Sequence, residues 1–166
     1  MLKKLTIAIW PIGKLKPYER NPRKNDGAVD RMCKSIQEFG FPVPVLAKRD
    51  GEVIDGHLRL KAAVKLGLTE VPVIVCDGWS AAQVKAFRLM VNRSVTWADW
   101  DIEALGAEFL ELKALDFDLH LTGFEFTEVS DYLRGADFGP ATEAEQGKLD
   151  EKKKAKCPEC GCEFTS

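Results

Sequence analysis

Residues 53–63 read Val-Ile-Asp-Gly-His-Leu-Arg-Leu-Lys-Ala-Ala, and this stretch decides the fold. Bulky apolar residues run up to Asp55, where a strand is expected to end. Gly56 follows at once, and helix-forming residues come after it, so we predict a helix over about 58–66 that Gly67 closes. The first amides of a helix have no partner within it, and its dipole favours an anion in front of them. The sequence therefore predicts an anion site where the strand passes into the helix.

Four residues of this stretch carry the predicted chemistry. Gly56 lets a ligand approach the backbone closely. His57 can bind phosphate or move a proton, and we predict it as the general base of any catalysis, with Asp55 as a metal-binding or orienting carboxylate. Arg59 can donate two parallel hydrogen bonds to a phosphate. The alternative is a hairpin that runs into a helix, with the imidazole and guanidinium groups merely solvated.

The flanking segments predict a small α/β (α+β) domain with a mixed sheet and flanking helices. Arg49-Asp50-Gly51 is a turn between strands over 43–48 and 52–55, because hairpin turns prefer Asp-Gly. Residues 71–76 are almost all apolar and predict a strand buried on both faces. The other predicted elements are a strand over 5–10, helices over 28–39, 80–91 (with the capping box Ser80–Gln83) and 127–133, and a helix capped by Asp101.

Apolar residues outside these motifs are predicted to form the core. The helix capped by Asp101 has an apolar stripe made by Ile102, Leu105, Phe109 and Leu112. The other predicted core residues are Phe39, Leu66, Phe87, Met90 and Phe124.

Two further groups of polar residues lie outside the central stretch. Arg20, Arg23 and Lys24 belong to a proline-containing loop with Tyr18 nearby, and such a loop can contact a nucleotide or a DNA backbone. Asn92-Arg93 ends a predicted helix, where an amide and a cation can complete a phosphate or metal site. Each group has an ordinary alternative, which is a solvated loop in the first case and a helix cap in the second.

The charge of the chain is unevenly distributed. The 166 residues are 45% hydrophobic and 30% charged, with a formal net charge of −2. Residues 1–98 carry 17 basic and 9 acidic side chains, whereas residues 99–145 carry 2 and 13. The basic region suits phosphates, and the acidic segment does not. The alternative is that the two parts neutralise each other across an internal interface.

No apolar run approaches the roughly 18–20 residues that a membrane-spanning helix needs. Pro11, Gly13 and Lys14 interrupt the start of the chain before a signal-peptide core can form. We therefore expect a soluble, cytoplasmic protein with no membrane partner.

Three of the five cysteines lie in the last ten residues, which is unlike a disulfide framework. Cys157-Pro-Glu-Cys160-Gly is typical of a zinc-ribbon knuckle, in which two thiolates bind one metal ion. Cys162 is the third ligand of this predicted structural Zn²⁺ site, and a second chain or residues beyond 166 would complete it. The alternative is a tail without metal. Cys33 and Cys76 are predicted to be core thiols.

Four units are predicted along the chain, because the periodic pattern fades after Gly135. They are an α/β domain over 1–98, an acidic helical extension over 99–134, a linker over 135–156 and a cysteine tail over 157–166.

In order and spacing, these motifs resemble the N-terminal domain of the ParB family, which shares its fold with sulfiredoxin. In that family a Leu-x-Pro and Asn-Pro-Arg loop, here residues 15–23, precedes a helix that ends in glycine. A hairpin into Gly-Glu-Arg-Arg-x-Arg-Ala and an asparagine at a later helix end follow, here residues 56–62 and Asn92. The resemblance covers roughly residues 5–100. Residues 97–133 look like an extension of phage and prophage versions, which often accompany DNA methyltransferases.

The resemblance implies a nucleotide-binding fold with Mg²⁺: CTP in partition proteins, ATP in sulfiredoxin and related kinases, and nuclease activity in some members. His57 replaces the glutamate of the partition proteins and the cysteine nucleophile of sulfiredoxin, so reductase chemistry is not expected. Val91 replaces an acidic residue before Asn92, which removes a metal-binding or water-activating group. We also expect the helix-turn-helix domain of partition proteins to be absent, since little chain follows residue 133.

The predicted function is a ParB-like module of a phage or mobile element that binds nucleotide or DNA phosphate in DNA modification or processing. Nuclease or nucleoside-triphosphatase activity and a homodimer are left open. The alternative is a non-catalytic adaptor whose acidic helices over 101–133 hold a methyltransferase or packaging protein, and a small-molecule kinase is a third alternative. The predicted phosphate-binding residues are Gly56, His57, Arg59, Arg20, Arg23, Asn92 and Arg93.

Overall fold

In the computed structural model, the residues described are 5–136, 154–156 and 163–165. The strands are β1 (Ile7–Pro11), β2 (Val45–Ala47), β3 (Val53–Asp55), β4 (Glu70–Val75), β5 (Lys154–Lys156) and β6 (Glu163–Thr165). The helices are α1 (Val29–Phe39), α2 (His57–Lys65), α3 (Ala81–Ser94), α4 (Ile102–Ala114) and α5 (Phe126–Ala136). Across these ranges, no helix has both the length and the apolar character that crossing a membrane requires.

The first four strands form one mixed sheet in the order β1-β4-β2-β3. β1 runs antiparallel to β4, β4 runs parallel to β2, and β2 runs antiparallel to β3. The parallel pair needs a crossover connection, which β3 and α2 provide on the way from β2 to β4. The predicted α/β fold, with a small mixed sheet and flanking helices, is confirmed.

Helices cover both faces of the sheet. On one face, α2 packs on a core whose members are Trp10, Leu15, Val45, Ala47, Val53, Leu60, Ala63, Val71 and Val73. α1 packs on the outer side of α2, where the thiol of Cys33 lies 3.7 Å from the carbonyl oxygen of Ala62. On the other face, Val84 of α3 packs near Cys76. Cys33 and Cys76 are buried core thiols, as predicted, and burial raises the pKa of Cys76.

The first loop of the chain reaches the outer edge of β3. Lys16 forms an isolated bridge with Glu52. Its amide donates to the carbonyl of Gly51 and its carbonyl accepts from the amide of Val53, each at 2.9 Å. Gly51 has φ +93°, and a Cβ there would lie only 2.1 Å from the carbonyl oxygen of Lys14. The predicted Asp-Gly turn therefore also anchors the N-terminal loop.

α4 and α5 enclose a small core of their own. A 3₁₀ turn over Leu119–Thr122 connects them, and Leu105, Phe109 and Val129 are the buried residues of this core. The ring of Phe124 lies edge-on to that of Phe109, with centroids 5.3 Å apart. The acidic extension is therefore a packed unit rather than two independent helices.

The extension meets the sheet domain at α1. Arg31 donates to Glu125 at 2.6 Å, and the ring of Phe39 stacks on that of Phe117 with centroids 6.3 Å apart. The prediction that Phe39 is a core residue is wrong, because it is 52% exposed at this junction.

Two other core predictions are also wrong. Met90 is 42% exposed on α3, and Ile102 is 48% exposed in the first turn of α4. Both helices carry apolar residues on more than one side, so spacing alone does not determine which side is buried.

The antiparallel pair of β5 and β6 was not predicted. Lys154 lies opposite Thr165 in this ladder, within segments assigned from sequence to the linker and the tail. Cys157, Cys160 and Cys162 lie between the two strands in sequence and outside the described residues. The zinc site therefore stays a prediction.

Candidate phosphate-binding site

A cavity of about 280 Å³ opens at the N-terminus of α2. Gly56 precedes the helix with φ +98°, and no side chain of the described residues caps the helix. The first helical hydrogen bond runs from the amide of Leu60 to the carbonyl of Gly56. The amides of His57, Leu58 and Arg59 therefore have no partner among the groups that the structure describes, and these three residues line the cavity. Such a helix start carries partial positive charge.

Most of the predicted site residues meet at this cavity. Those that line it are Asp55, Gly56, His57, Arg59, Arg23 and Asn92. Arg20 and Arg93 do not line it, and both are exposed; Arg93 donates instead to the hydroxyl of Thr96 at 2.9 Å. Other lining residues that the sequence analysis did not select are Asn21, Asn25, Leu58, Val91 and Val95.

Arg59 already has partners within the protein. Its Nη2 donates to Oδ2 of Asp55 at 2.9 Å and to the carbonyl of Pro44 at 3.4 Å. The Nε of Arg59 is buried and has no partner in the described structure. The guanidinium group is thus fixed beside the first turn of α2, and the carboxylate of Asp55 partly offsets its charge.

His57 ties the N-terminal loop to α2. Its Nε2 accepts a hydrogen bond from the amide of Tyr18 at 3.2 Å, which requires that nitrogen to be unprotonated. Burial lowers the pKa of His57 below its ordinary value of 6.5, and the charge of Arg88 lowers it further. The neutral imidazole is therefore the form that this contact uses. Its role as a general base stays a prediction, and the Nε2 lone pair is already engaged.

Arg88 is the buried polar residue that the sequence analysis missed. It lies on α3 and is 6% exposed. Its guanidinium group contacts the carboxylate of Glu52, donates to the carbonyl of Val53 at 2.9 Å and lies over the ring of Tyr18. Asn92, one turn further along α3, donates from Nδ2 to the carbonyl of Arg88 at 2.7 Å. These contacts join the loop, the hairpin and α3 around the cavity.

The lining residues suit a phosphate better than the Mg²⁺ ion that the resemblance implies. Mg²⁺ is usually held by one or two carboxylates together with phosphates. Asp55 is the one carboxylate among the described residues lining the cavity, and Arg59 holds it. Elsewhere in the described ranges, no group of three His, Cys, Asp or Glu side chains is placed to hold a metal ion. The residues present do not fit this ion.

The fold and the cavity define a class of small α/β domains in which a hairpin passes through glycine into an open helix N-terminus. The family profile of the ParB N-terminal domain matches residues 2–92, and that of the ParB-methyltransferase HTH domain matches residues 103–160. The chain therefore belongs to the ParB N-terminal domain family, of the type associated with methyltransferases. The resemblance drawn from the sequence motifs is confirmed.

Known relatives differ in how much of their length the chain covers. It is 40% identical over 84 residues to the ParB-like nuclease domain-containing protein YnaK of Escherichia coli, covering 50% of this chain and 97% of YnaK. It is 35% identical over 72 residues to the chromosome-partitioning protein Spo0J of Thermus thermophilus, covering 40% of this chain but 27% of Spo0J. The structure of Caulobacter crescentus ParB complexed with CTP-γ-S shares the fold, with a TM-score of 0.65, 20% identity and 81% coverage of both chains.

The match over residues 103–160 corrects one prediction. The sequence analysis expected no helix-turn-helix domain, yet this profile describes one. All of α5 and all of α4 except its first residue lie within the matched range. The pattern of two short amphipathic helices after residue 100 was detected, but their relation to a helix-turn-helix was not. Their strongly acidic composition is unlike a surface that contacts DNA phosphates.

Proposed function

We propose that the chain is a module that binds a phosphate group of a nucleotide or of DNA at the N-terminus of α2. The observation that carries this proposal is the uncapped start of α2 behind Gly56, whose free amides meet a cavity also lined by Arg23, Arg59 and Asn92. Amides and guanidinium groups are the donors that phosphate oxygens accept from in proteins.

The size of the cavity and the family relationship support this ligand class. About 280 Å³ is just below the usual range of about 300–1,000 Å³ for ligand clefts, which suits a phosphate with part of its nucleoside. Caulobacter crescentus ParB, which shares this fold, is complexed with CTP-γ-S in its crystal structure. We therefore include CTP and ATP among the candidate ligands, and a place in DNA modification or processing as the candidate role.

The contacts of the two predicted catalytic residues favour binding over hydrolysis. Nε2 of His57 is occupied by the amide of Tyr18, and the carboxylate of Asp55 is occupied by Arg59. A nuclease or nucleoside-triphosphatase reaction would require one of these contacts to open. His57→Ala would abolish such turnover if His57 is the base, and unchanged turnover would exclude it.

The test compares two arginines of the same loop. CTP, ATP, GTP and single- and double-stranded DNA are titrated into the wild type, and a ligand that binds the folded state raises the melting temperature. Arg23 lines the cavity and Arg20 does not, so we expect Arg23→Ala to weaken binding by about fivefold and Arg20→Ala by less than about twofold. Equal effects of the two substitutions, or no ligand with any effect, would contradict the proposal.

A second candidate function is that of an adaptor for a DNA-modifying protein. The specific observation in its favour is the match of the acidic extension to the ParB-methyltransferase HTH profile. In this case a methyltransferase, or a packaging protein, would bind α4 and α5. Self-association of the chain as a homodimer, and a Zn²⁺ site at Cys157, Cys160 and Cys162, remain predictions that sedimentation and metal analysis can test.

A further inference from the structure

A groove in the acidic extension is separate from the cavity at α2. It lies between the end of α4, the 3₁₀ turn and the first two turns of α5, and its volume is about 450 Å³. Volumes of about 300–1,000 Å³ are typical of clefts that bury a ligand. The apolar residues that line it are Phe117, Leu119, Phe126, Val129 and Leu133.

The floor of this groove is fixed, and its mouth is exposed. Val129 is 5% exposed, and Leu119 and Leu133 pack against the same small core. Phe126 begins α5 and is 70% exposed, with its ring stacked on that of His120 at a centroid distance of 6.5 Å. A solvent-exposed aromatic side chain next to buried apolar residues is typical of an interaction surface.

The charge around the groove discriminates between classes of partner. Residues 99–136 hold ten acidic and two basic side chains. Asp116 and Asp118 line the groove together with Lys113, the one lysine or arginine among its described lining residues. A negative potential repels DNA phosphates and attracts basic side chains.

Among the residues that the structure describes, little offsets this charge. Arg31 pairs with Glu125. No other carboxylate of residues 99–128 forms a salt bridge within the described part of the chain. Exposed charges act together over a Debye length of about 8–10 Å at ordinary ionic strength. An approaching cationic segment therefore meets the combined field of several carboxylates.

We propose that this groove binds a basic amphipathic helix of a partner protein. The apolar side chains of that helix would fill the space beside Phe126 and Leu133, and its Lys or Arg side chains would lie over Asp116 and Asp118. Charge complementarity selects this occupant over a nucleic acid. The inference rests on the adaptor role given above as the second function, and it does not depend on the cavity at α2.

The test uses the full chain and two synthetic helical peptides with the same leucine stripe. One peptide carries lysine on its other face, and the matched control carries glutamate. Fluorescence anisotropy should show that the lysine peptide binds and that added salt lowers its affinity. The glutamate peptide should not bind. We expect Phe126→Ala to weaken binding by about tenfold. Asp116→Asn with Asp118→Asn should weaken it by about threefold and flatten its salt dependence.

The matched substitutions lie outside the groove. Trp97→Ala removes another exposed aromatic ring, and Asp99→Asn with Glu103→Gln removes two other charges. Each should change the affinity by less than about 1.5-fold. Asparagine at 118 keeps an oxygen for the amide of His120, so the turn is retained.

Three results would overturn the groove proposal. They are equal losses from the matched substitutions, binding of both peptides alike, and displacement of the lysine peptide by a DNA duplex, which would assign the surface to DNA. Nucleotide titrations with Phe126→Ala keep the two proposals apart. Phe126→Ala should keep the nucleotide response while it weakens peptide binding, because Phe126 lines the groove and not the cavity. In the wild type, nucleotide binding without peptide binding would contradict the groove proposal alone, and peptide binding without nucleotide binding would contradict the phosphate-cavity proposal alone.

Discussion

The guanidinium carbon of Arg88 lies 3.7 Å from the centre of the Tyr18 ring. The amide of Tyr18 donates to His57, and the carbonyl of Arg88 accepts from Asn92. One aromatic residue of the first loop therefore contacts both helices that line the phosphate cavity. Tyr18 therefore helps to hold the two helices in place at the cavity.

Replacing Arg88 by methionine should destabilise the fold by about 2 kcal/mol. The substitution removes the hydrogen bond to the carbonyl of Val53 and the main partner of the Glu52 carboxylate, whose pKa Arg88 and Lys48 hold below its ordinary value. Urea unfolding measures the loss. Arg93→Met is the control, because Arg93 is exposed and should change the free energy by less than about 0.5 kcal/mol. Equal losses for both would contradict the role given to Arg88.

His57 should make stability depend on pH. Its pKa is lowered in the folded state, so between that pKa and about 6.5 the unfolded chain binds more protons. The stabilisation from the neutral imidazole is then complete above pH 6.5 and is lost as the pH falls towards the folded pKa. Urea midpoints at pH 7.5 and pH 5 measure this loss.

His57→Gln is the matched variant for this prediction. Glutamine offers an oxygen to the amide of Tyr18 and does not titrate. Between pH 7.5 and pH 5, the urea midpoint of the variant should therefore fall less than that of the wild type. His120 is present in both proteins, so it does not contribute to the difference. Identical pH dependence in the two proteins would show that the imidazole of His57 is not the titrating group.

Gly51→Ala should be among the most destabilising small substitutions in the chain. A Cβ at Gly51 would lie 2.1 Å from the carbonyl oxygen of Lys14, in addition to the strain at φ +93°. We expect a loss of about 3 kcal/mol in the free energy of unfolding. Gly67→Ala has φ +72° and open space around it, so strain alone should cost about 1 kcal/mol. Similar losses at both positions would contradict the close approach of the N-terminal loop.

Removing divalent metal should leave nucleotide affinity nearly unchanged. Asp55 is held by Arg59, and Val91 offers no oxygen, so the described lining has no free carboxylate for Mg²⁺. Calorimetric titrations with EDTA and with Mg²⁺ should agree within about twofold for the wild type. Val91→Glu should create a metal dependence. A wild-type affinity that collapses in EDTA would show that the cavity uses the ion after all.

The fold was predictable where local signals were strong. Asp50-Gly51 fixed the hairpin, Gly56 and Gly67 bounded α2, and the predicted Ser80–Gln83 capping box is present at the start of α3. The spacing of apolar residues predicted burial less well where a helix is apolar on several sides, as at Met90. β5 and β6 pair across a short stretch of chain, Lys156 with Glu163, but each strand has only three residues, too few to show an alternating pattern in the sequence.

The cavity was predictable only in part. Gly56 and Arg59 are set by the strand–glycine–helix pattern, so both were found. Arg88 gave no signal, because a single arginine in an amphipathic helix is usually solvated, and its burial depends on Tyr18 and Glu52 from other elements. Arg20 and Arg23 were indistinguishable in sequence, and loop geometry alone separates them.

The first segment of the chain touches both borders of the four-stranded sheet. β1 forms one border, and Lys16 pairs with Glu52 on the other. A protease cut between them would let β1 leave the sheet, and the backbone donors and acceptors of β4 that it pairs with would become exposed. Because an exposed edge strand can pair with strands of other molecules, cleavage near the start of the chain should lead directly to aggregation.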